Sequence, residues 1–218
     1  MMVCADDERI FEDAHKLYQQ KMYQEALELY QKIEQKSPSV FYNMGNAAYH
    51  NGDYMFAHLY WLRAQKHGDA NIFRASSKNL ALLAKEGAIQ EQSPLFLWLW
   101  SVIKVVPLLL WQLVFLIVWS YLFVMICKRS ISKRSLVISS MSLLLVVPIL
   151  LVGYDTAKRE AMIINDALIY NGPHASLYQI GNLPKGKVVV VASIKENWIN
   201  IIADGNVGWV SQEYVAHI

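Results

Sequence analysis

The longest apolar stretch of the chain covers residues 105–152. It contains two uncharged runs, VVPLLLWQLVFLIVWSYLFVMIC at 105–127 and LVISSMSLLLVVPILLV at 136–152. A helix rises about 1.5 Å per residue, and the hydrocarbon core of a bilayer is about 30 Å thick. The 23 residues of the first run are therefore enough to cross a bilayer, and the 17 of the second are at the lower limit. We predict two transmembrane helices, 105–127 and 136–152, that form a hairpin; the alternative is a buried helical pair in a soluble core.

The loop between the two runs, residues 128–135, is strongly basic. Short loops rich in Lys and Arg stay on the cytoplasmic side of a membrane. We therefore predict a cytoplasmic loop, with both soluble ends in the periplasm or outside the cell. The predicted localisation is the inner (cytoplasmic) membrane of a bacterium, with two spans. The side chains that set this topology are Lys128, Arg129, Lys133 and Arg134.

The overall composition limits the class of protein. The chain has 218 residues, a hydrophobic fraction of 55% and a net charge of +2, and a near-neutral charge argues against a nucleic-acid partner. Its two cysteines, Cys4 and Cys127, cannot form a disulfide framework. Residues 1–6 resemble the end of a signal peptide, since Val3-Cys4-Ala5 would form a small-residue cleavage site. We expect a remnant of such a peptide here.

Residues 7–90 have the apolar periodicity of paired amphipathic helices. The pattern Tyr23-x-x-Ala26 returns as Tyr54-x-x-Ala57, at an offset of 31 residues, which indicates an internal repeat. The segment YNMGNAAYHNGDYMFA at 42–57 resembles the tetratricopeptide repeat. The small residues Gly45 and Ala57 would let the two helices of a repeat approach closely, while Tyr54 and Trp61 would fill the space beside them.

The resemblance to this repeat implies a binding surface on the first helix of each pair. Aromatic and amide side chains there suit an extended peptide or a helix of a protein partner. The alternative is that some of the tyrosines simply pack between helices. The residues at these positions are Phe11, His15, Tyr18, Gln19, Tyr42, Asn46, Tyr49 and His50.

Residues 94–104, PLFLWLWSVIK, are apolar almost all round and contain two tryptophans. Tryptophan is favoured at the headgroup level of a membrane. We predict an interfacial helix that contacts membrane lipid before the first crossing; the alternative is one long tilted helix that starts at Leu95. Neither predicted crossing holds an acidic residue, so transport is not expected.

After a predicted linker at 153–166, the composition changes to short strand-like runs between Gly and Asn turns. Residues 167–218 resemble the bacterial SH3-like (SH3b) domain, on the segments LPKGKV at 183–188, NWINI at 197–201 and DGNVGWV at 204–210. This resemblance implies a small all-β barrel that binds peptidoglycan, a peptide or a neighbouring protein. The candidate exposed aromatic residues, each of which could equally belong to the core, are Tyr170, Tyr178, Trp198 and Tyr214.

No motif in the chain indicates catalysis. The segment GNLPKGK at 181–187 fits the start of a phosphate-binding loop, but Val188 stands where Ser or Thr should hold magnesium. The six histidines show no metal-binding spacing. We therefore predict a protein that is not an enzyme, with no catalytic residues, no metal and no cofactor.

The order of these parts resembles the BatE-like proteins of the Bacteroides aerotolerance (Bat) group. The fold class predicted on this basis is a multidomain membrane protein, with an all-α tetratricopeptide-like helical repeat, a two-helix transmembrane hairpin and a small all-β SH3-like barrel. The resemblance implies a membrane-anchored scaffold in envelope stress tolerance. Its implied partners are membrane proteins with von Willebrand A domains and a MoxR-type ATPase. The alternative function is attachment to peptidoglycan through the barrel.

Overall fold

The structure, a computed structural model, describes residues 5–87, 89, 93–106, 108–128 and 146–218. The chain divides into two compact units, one made of Met1–Leu97 with Arg159–Ile218 and the other of Trp98–Lys158. The helices of the described residues are α1 (Ala5–Gln19), α2 (Tyr23–Lys32), α3 (Pro38–His50), α4 (Tyr54–His67), α5 (Ala70–Lys85), α6 (Pro94–Val105), α7 (Leu108–Cys127) and α8 (Val146–Ala157). The strands are β1 (Glu160–Ile163), β2 (Ala167–Tyr170), β3 (Gln179–Leu183), β4 (Val188–Lys195), β5 (Trp198–Ala203), β6 (Asn206–Ser211) and β7 (Val215–His217).

Three of the helices in the first unit begin at side chains that cap them. Ser37 accepts a hydrogen bond from the backbone N–H of Val40, and Asp53 accepts one from Phe56. Asp69 accepts two, from Asn71 and Ile72. Because the first N–H groups of a helix have no partner within it, such caps fix where each helix starts.

The turns that follow α1 and α3 have the same backbone hydrogen bonds. Met22 N donates to Leu17 O over 3.0 Å, and Asp53 N donates to Ala48 O over 2.9 Å. Each turn passes through a left-handed residue, which is Lys21 with φ 64° in the first turn and Gly52 with φ 83° in the second. This is the Schellman arrangement, which ends a helix sharply. It places the end of α1 beside the start of α2, and the end of α3 beside the start of α4.

Small residues let the helices of this region pack closely. A Cβ atom on Gly45 would lie 2.4 Å from Cδ1 of the Trp61 indole, so the indole occupies the space that any side chain at this position would need. Ala14, Ala26 and Ala57 are fully buried in the same hydrophobic core. Burial in this core stabilises helices that are individually too short to be stable alone.

All seven strands form one antiparallel sheet in the order β3-β2-β6-β5-β4-β1-β7. Side chains alternate between the two faces of a strand, and one face of this sheet carries the core. The buried residues of that face are Ala161, Ile163, Ala167, Ile169, Leu183, Val189, Val191, Ile199, Ile201, Ala203, Val210 and Val215.

One edge of the sheet, strand β7, is covered by α4. Arg63 donates from Nε and Nη2 to the carbonyl oxygen of His217 over 2.8 and 2.5 Å, and Lys66 Nζ lies 3.4 Å from the carbonyl oxygen of Ile218. The Arg63 guanidinium also lies 5.5 Å from the centre of the Phe41 ring. These contacts occupy backbone groups that an uncovered edge strand would leave open to pairing.

The predicted small barrel is wrong. A strand, β1, lies within residues that the sequence indicated to be a linker, and it pairs with β4 on one side and β7 on the other. The strands therefore continue in a line of seven, and among the described strands no pairing joins the ends β3 and β7. Strand β1 has only four residues and follows Lys158 and Arg159, so its sequence shows little of the apolar alternation by which strands are recognised.

The predicted membrane hairpin is also wrong. No single helix in the described part of the chain is long and apolar enough to cross a bilayer. Pro94–Val105 and Leu109–Met125 meet the requirement together, by length and composition, but they are bent by 82° at the break between them. Of the second predicted span, residues 136–145 lie outside the described residues. The rest overlaps α8, which has 12 residues and rises about 18 Å.

Two clear spans are therefore not found among the described residues, and the predicted inner-membrane localisation with two spans is wrong as well. Of the four cations predicted to set the topology, Lys128 is exposed, and Arg129, Lys133 and Arg134 lie outside the described residues. The predicted fold class has to be replaced. Within the described ranges, the chain is an α+β protein with eight helices and a seven-stranded antiparallel sheet.

Candidate partner-binding surface

The eight side chains predicted to form a binding surface divide into three groups. The first group lies along α1. The Phe11 and His15 rings are parallel with centres 6.5 Å apart, and Gln19 Nε2 lies 3.1 Å from His15 Nε2. His15 and Gln19 are exposed, whereas Phe11 is half-buried against Tyr30. These three residues form one exposed edge of the helical region.

The second group holds helices together. Asn46 Oδ1 accepts hydrogen bonds from Trp61 Nε1 over 3.1 Å and from Asn79 Nδ2 over 2.9 Å. Asn79 Nδ2 also lies 3.4 Å from the Tyr42 hydroxyl. We call Tyr42, Asn46, Trp61 and Asn79 the polar network. Since it joins α3 to both α4 and α5, packing between helices is the better interpretation of Tyr42 and Asn46.

The third group belongs to a continuous row of rings, which we call the aromatic belt and define as Tyr18, Tyr23, Tyr49, His50 and Tyr54. The Tyr23 and His50 rings are stacked with centres 4.8 Å apart, and Tyr18 contacts both of them at 5.4 and 5.9 Å. Tyr49 contacts His50 at 5.5 Å and Tyr54 at 5.4 Å. His50 and Tyr54 are exposed, Tyr54 to 45%, and the other three rings are half-buried. The belt therefore presents aromatic surface to solvent across four helices.

The two Schellman turns explain why these rings meet. Tyr18 lies in the last turn of α1, and Tyr49 and His50 are the last two residues of α3. Tyr23 and Tyr54 are the first residues of α2 and α4. Each of these two tyrosines stands two positions after the left-handed residue of its turn. Because the turns reverse the chain in the same way, they bring all five rings to the same end of the helical region.

The belt is attached to α5 through a carboxylate. The Tyr49 hydroxyl donates a hydrogen bond to Glu86 Oε1 over 2.7 Å. This hydrogen bond, with a smaller effect of desolvation, raises the pKa of the Tyr49 hydroxyl. Burial raises the pKa of Tyr18 in the same direction. Both phenols are therefore neutral at physiological pH and keep a hydroxyl that can donate.

The sequence indicated three members of the belt and missed two. Tyr54 was expected to be a packing residue beside Trp61, and Tyr23 appeared only as part of the repeat. Glu86 lies at the end of α5, where no pattern in the sequence connects it to Tyr49. The sequence signal that could have found the missed tyrosines is an aromatic residue two positions after the left-handed residue of a helix-ending turn. It occurs twice, at Tyr23 after Lys21 and at Tyr54 after Gly52.

The four candidates of the sheet lie in different environments. Tyr170 and Trp198 are in contact, with ring centres 5.5 Å apart and planes nearly perpendicular. Tyr178 is 78% exposed and lies just before β3, away from any ring contact among the described residues. Tyr214 packs against the core of the sheet. The structure therefore brings together only Tyr170 and Trp198.

Two neighbours complete the surface around Tyr170 and Trp198. Asn200 lies two residues after Trp198 on β5, and Trp209 on β6 stands directly opposite Asn200. The Oδ1 atom of Asn200 is buried and has no hydrogen-bond partner within the described chain. A buried acceptor without a partner is uncommon in native proteins.

The segment 181–187 that resembles a phosphate-binding loop runs from β3 through a turn with Gly186 at φ 83° and continues into strand β4. A phosphate-binding loop is followed by a helix. Among the residues that the structure describes, no group of three His, Cys, Asp or Glu side chains could hold a metal ion.

No known protein family matches the chain, and no curated protein or solved structure is detectably similar to it. Helices and strands are present in the two regions where they were predicted. However, nothing connects them to the tetratricopeptide or SH3b families, and these two predicted labels are therefore not supported.

Proposed function

We propose that this protein is a non-enzymatic adaptor that binds a protein partner on the aromatic belt. The observation that carries the proposal is the continuous contact of five rings from four helices at a surface where they remain partly exposed. Tyrosine is enriched among the residues that dominate protein–protein binding, because it offers a large contact area with few rotatable bonds.

The surroundings of the belt hold it in one arrangement before a partner arrives. Tyr49 is fixed by Glu86 and lies against Trp61, with ring centres 5.6 Å apart. Asn51 Nδ2 donates to Gln24 Oε1 over 2.8 Å and so ties the second turn to α2. A surface that is ordered in advance loses less entropy on binding.

The resemblance to the Bat group suggests which partners to look for first. We propose a protein with a von Willebrand A domain, or a component of a MoxR-type ATPase system, in an envelope stress response. This setting is suggested by the sequence resemblance alone, and two of the parts on which that resemblance depends, the membrane hairpin and the small barrel, are wrong. The support for adaptor binding comes from the belt.

The test compares the partners of the full chain and of belt variants. The tagged full chain, a His50→Ala/Tyr54→Ala double variant and a Tyr178→Ala control would be expressed in the source cells, crosslinked and purified, and the bound proteins quantified. We expect at least a tenfold loss of one or more proteins with the double variant and none with Tyr178→Ala, since Tyr178 is exposed but belongs to the sheet region and contacts no ring of the belt. Equal recovery with all three chains would contradict the proposal.

A second candidate function is attachment to peptidoglycan through the sheet. It is favoured by Tyr170, Trp198 and Trp209, which lie close together on β2, β5 and β6, because a sugar ring can lie against an indole. Sedimentation of the full chain with purified sacculi tests this function. Retention that is lost in Trp198→Ala and kept in Tyr178→Ala supports it, and no retention of the unmodified chain contradicts it.

A further inference from the structure

We propose that the group recognised by the aromatic belt is a cationic side chain, an arginine or a lysine, of the partner. This inference rests on the adaptor function proposed above and assigns the chemistry of its site. The faces of aromatic rings carry negative electrostatic potential, so they attract a guanidinium or an ammonium group, while the aliphatic part of the same side chain can pack against the rings.

A carboxylate lies at the belt to complement such a charge. Glu86 is exposed and accepts its hydrogen bond from the neutral Tyr49 hydroxyl. Among the described residues no Lys, Arg or His forms an ion pair with Glu86. The second carboxylate oxygen of Glu86, and the lone pairs of Oε1 that Tyr49 does not use, can therefore accept hydrogen bonds from a partner. A guanidinium that lies over Tyr49 or Tyr54 could bind this carboxylate at the same time.

The backbone at this end of the molecule adds negative partial charge. Helices α1, α3 and α5 all end beside the belt, and the C-terminus of a helix carries partial negative charge and favours cations. The N-termini of α2 and α4 lie at the same end, but the N-terminus of α4 is capped by the Asp53 carboxylate. Two lysines are neighbours of the belt in the sequence: Lys21 lies two residues before Tyr23, and Lys85 lies next to Glu86. Both are exposed, so the surface around the belt is not uniformly acidic.

The alternatives to a cation are an apolar and an anionic side chain. A purely apolar anchor would leave the negative charge of Glu86 uncompensated, and an anionic one would face both Glu86 and the helix C-termini. Carboxylates near aromatic faces are repelled by the same ring potential that attracts cations. Charge complementarity therefore favours arginine or lysine.

The test uses three short probes with the full chain. These are acetyl-Gly-Arg-Gly-amide, the same peptide with citrulline in place of arginine, and the same peptide with glutamate. Citrulline has nearly the shape of arginine but no charge. Binding is followed by the NMR shifts of the Tyr and His ring protons. We expect millimolar binding of the arginine peptide, binding of the citrulline peptide that is at least fivefold weaker, and no shift with the glutamate peptide.

Two matched variants complete the design. Glu86→Gln keeps an oxygen that can accept from Tyr49 but removes the charge, and we expect it to weaken the arginine peptide about fivefold and to leave the citrulline peptide unchanged. Glu213→Gln, at an exposed carboxylate in the short 3-10 helix between β6 and β7, should change neither. Equal binding of the arginine and citrulline peptides, or tighter binding of the glutamate peptide, would overturn the inference.

The outcome separates this inference from the adaptor function. In one outcome, partner capture depends on the belt, Glu86→Gln does not change it, and the arginine peptide does not bind. The adaptor function then stands and the cation site is wrong. If the arginine peptide binds to the belt but no protein is captured there, the cation site stands and the adaptor function is wrong.

Discussion

The polar network and the aromatic belt contain the same kinds of residue but differ in how their polar atoms are used. In the network, the single oxygen Asn46 Oδ1 accepts from two helices, and the Trp61 indole that donates to it is 2% exposed. In the belt, rings touch one another while His50 and Tyr54 remain exposed. The difference teaches that a helical surface rich in Tyr, His and Asn is not one binding face. Internal hydrogen bonds decide which part of it is structural and which part is free to bind.

The largest expected effect on stability is in the packed region between α3 and α4, which contains the polar network. Gly45→Ala places a methyl group where the Trp61 indole lies, and should lower the free energy of unfolding by about 3 kcal/mol, because α3 and α4 have to move apart. Urea unfolding followed by tryptophan fluorescence measures this change. Gly153→Ala, at a helical glycine with open space around it, is the control and should not lower the free energy of unfolding, because alanine is the better helix former. A loss of less than 1 kcal/mol for Gly45→Ala would mean that the indole can move easily.

His50 in α3 and His58 in α4 extend the comparison to pH. His58 is only 9% exposed, and burial lowers its pKa to about 4, from about 6.5 in the unfolded chain. Between these values the unfolded chain binds a proton that the folded chain does not. Stability is therefore fully present above about pH 6.5 and falls by about 3 kcal/mol as the pH drops to 4.

The experiment for this prediction is urea unfolding at a series of pH values. His58→Leu should flatten the dependence between pH 6.5 and 4, whereas His50→Ala in the exposed belt should not. If His58→Leu leaves the slope unchanged, another group is responsible for the loss of stability in acid.

Removing the shared acceptor of the network should have a smaller effect. Asn46→Ala leaves the Trp61 Nε1–H and the Asn79 amide without their partner, and we expect a loss of about 2 kcal/mol in the free energy of unfolding. His15→Ala on the exposed edge of α1 is the matched control, with an expected change below about 0.5 kcal/mol. Similar losses for both variants would remove the distinction between network and surface.

The two turns that align the belt allow a prediction in which a substitution raises the free energy of unfolding instead of lowering it. Lys21 has φ 64°, a conformation that costs a side chain energy, and Gly52 occupies the equivalent position at no such cost. Lys21→Gly should stabilise the chain by about 0.5 to 1 kcal/mol. Gly52→Lys should destabilise it by a similar amount. Thermal unfolding of both variants checks this, and a destabilising effect of Lys21→Gly would show that the two turns are not equivalent.

Local signals in the sequence predicted much of the helical region. The apolar periodicity of residues 7–90 predicted paired helices, and Gly45 and Ala57 indicated close packing between them. The network and the belt could not be separated, because the distinction depends on Asn79 and Glu86, which α5 brings to α3 from more than thirty residues away.

The errors arose where composition was used without geometry. Apolarity predicted spans at 105–127 and 136–152, but it carries no information about where each helix begins and ends, and the structure has α7 at Leu108–Cys127 and α8 at Val146–Ala157. Likewise, the charged residues before β1 concealed a strand that the antiparallel partners β4 and β7 stabilise through pairing. Both outcomes depend on tertiary context, which overrides local preference.

The most direct test of the account is to measure stability and partner capture on the same belt variant. His50→Ala/Tyr54→Ala removes two exposed rings and breaks no internal hydrogen bond of the network. We predict a change of less than about 1 kcal/mol in the free energy of unfolding, together with at least a tenfold loss of the captured partner. Full capture by this folded variant, or a loss of capture that is explained entirely by unfolding, would contradict the central claim that the aromatic belt is a binding surface.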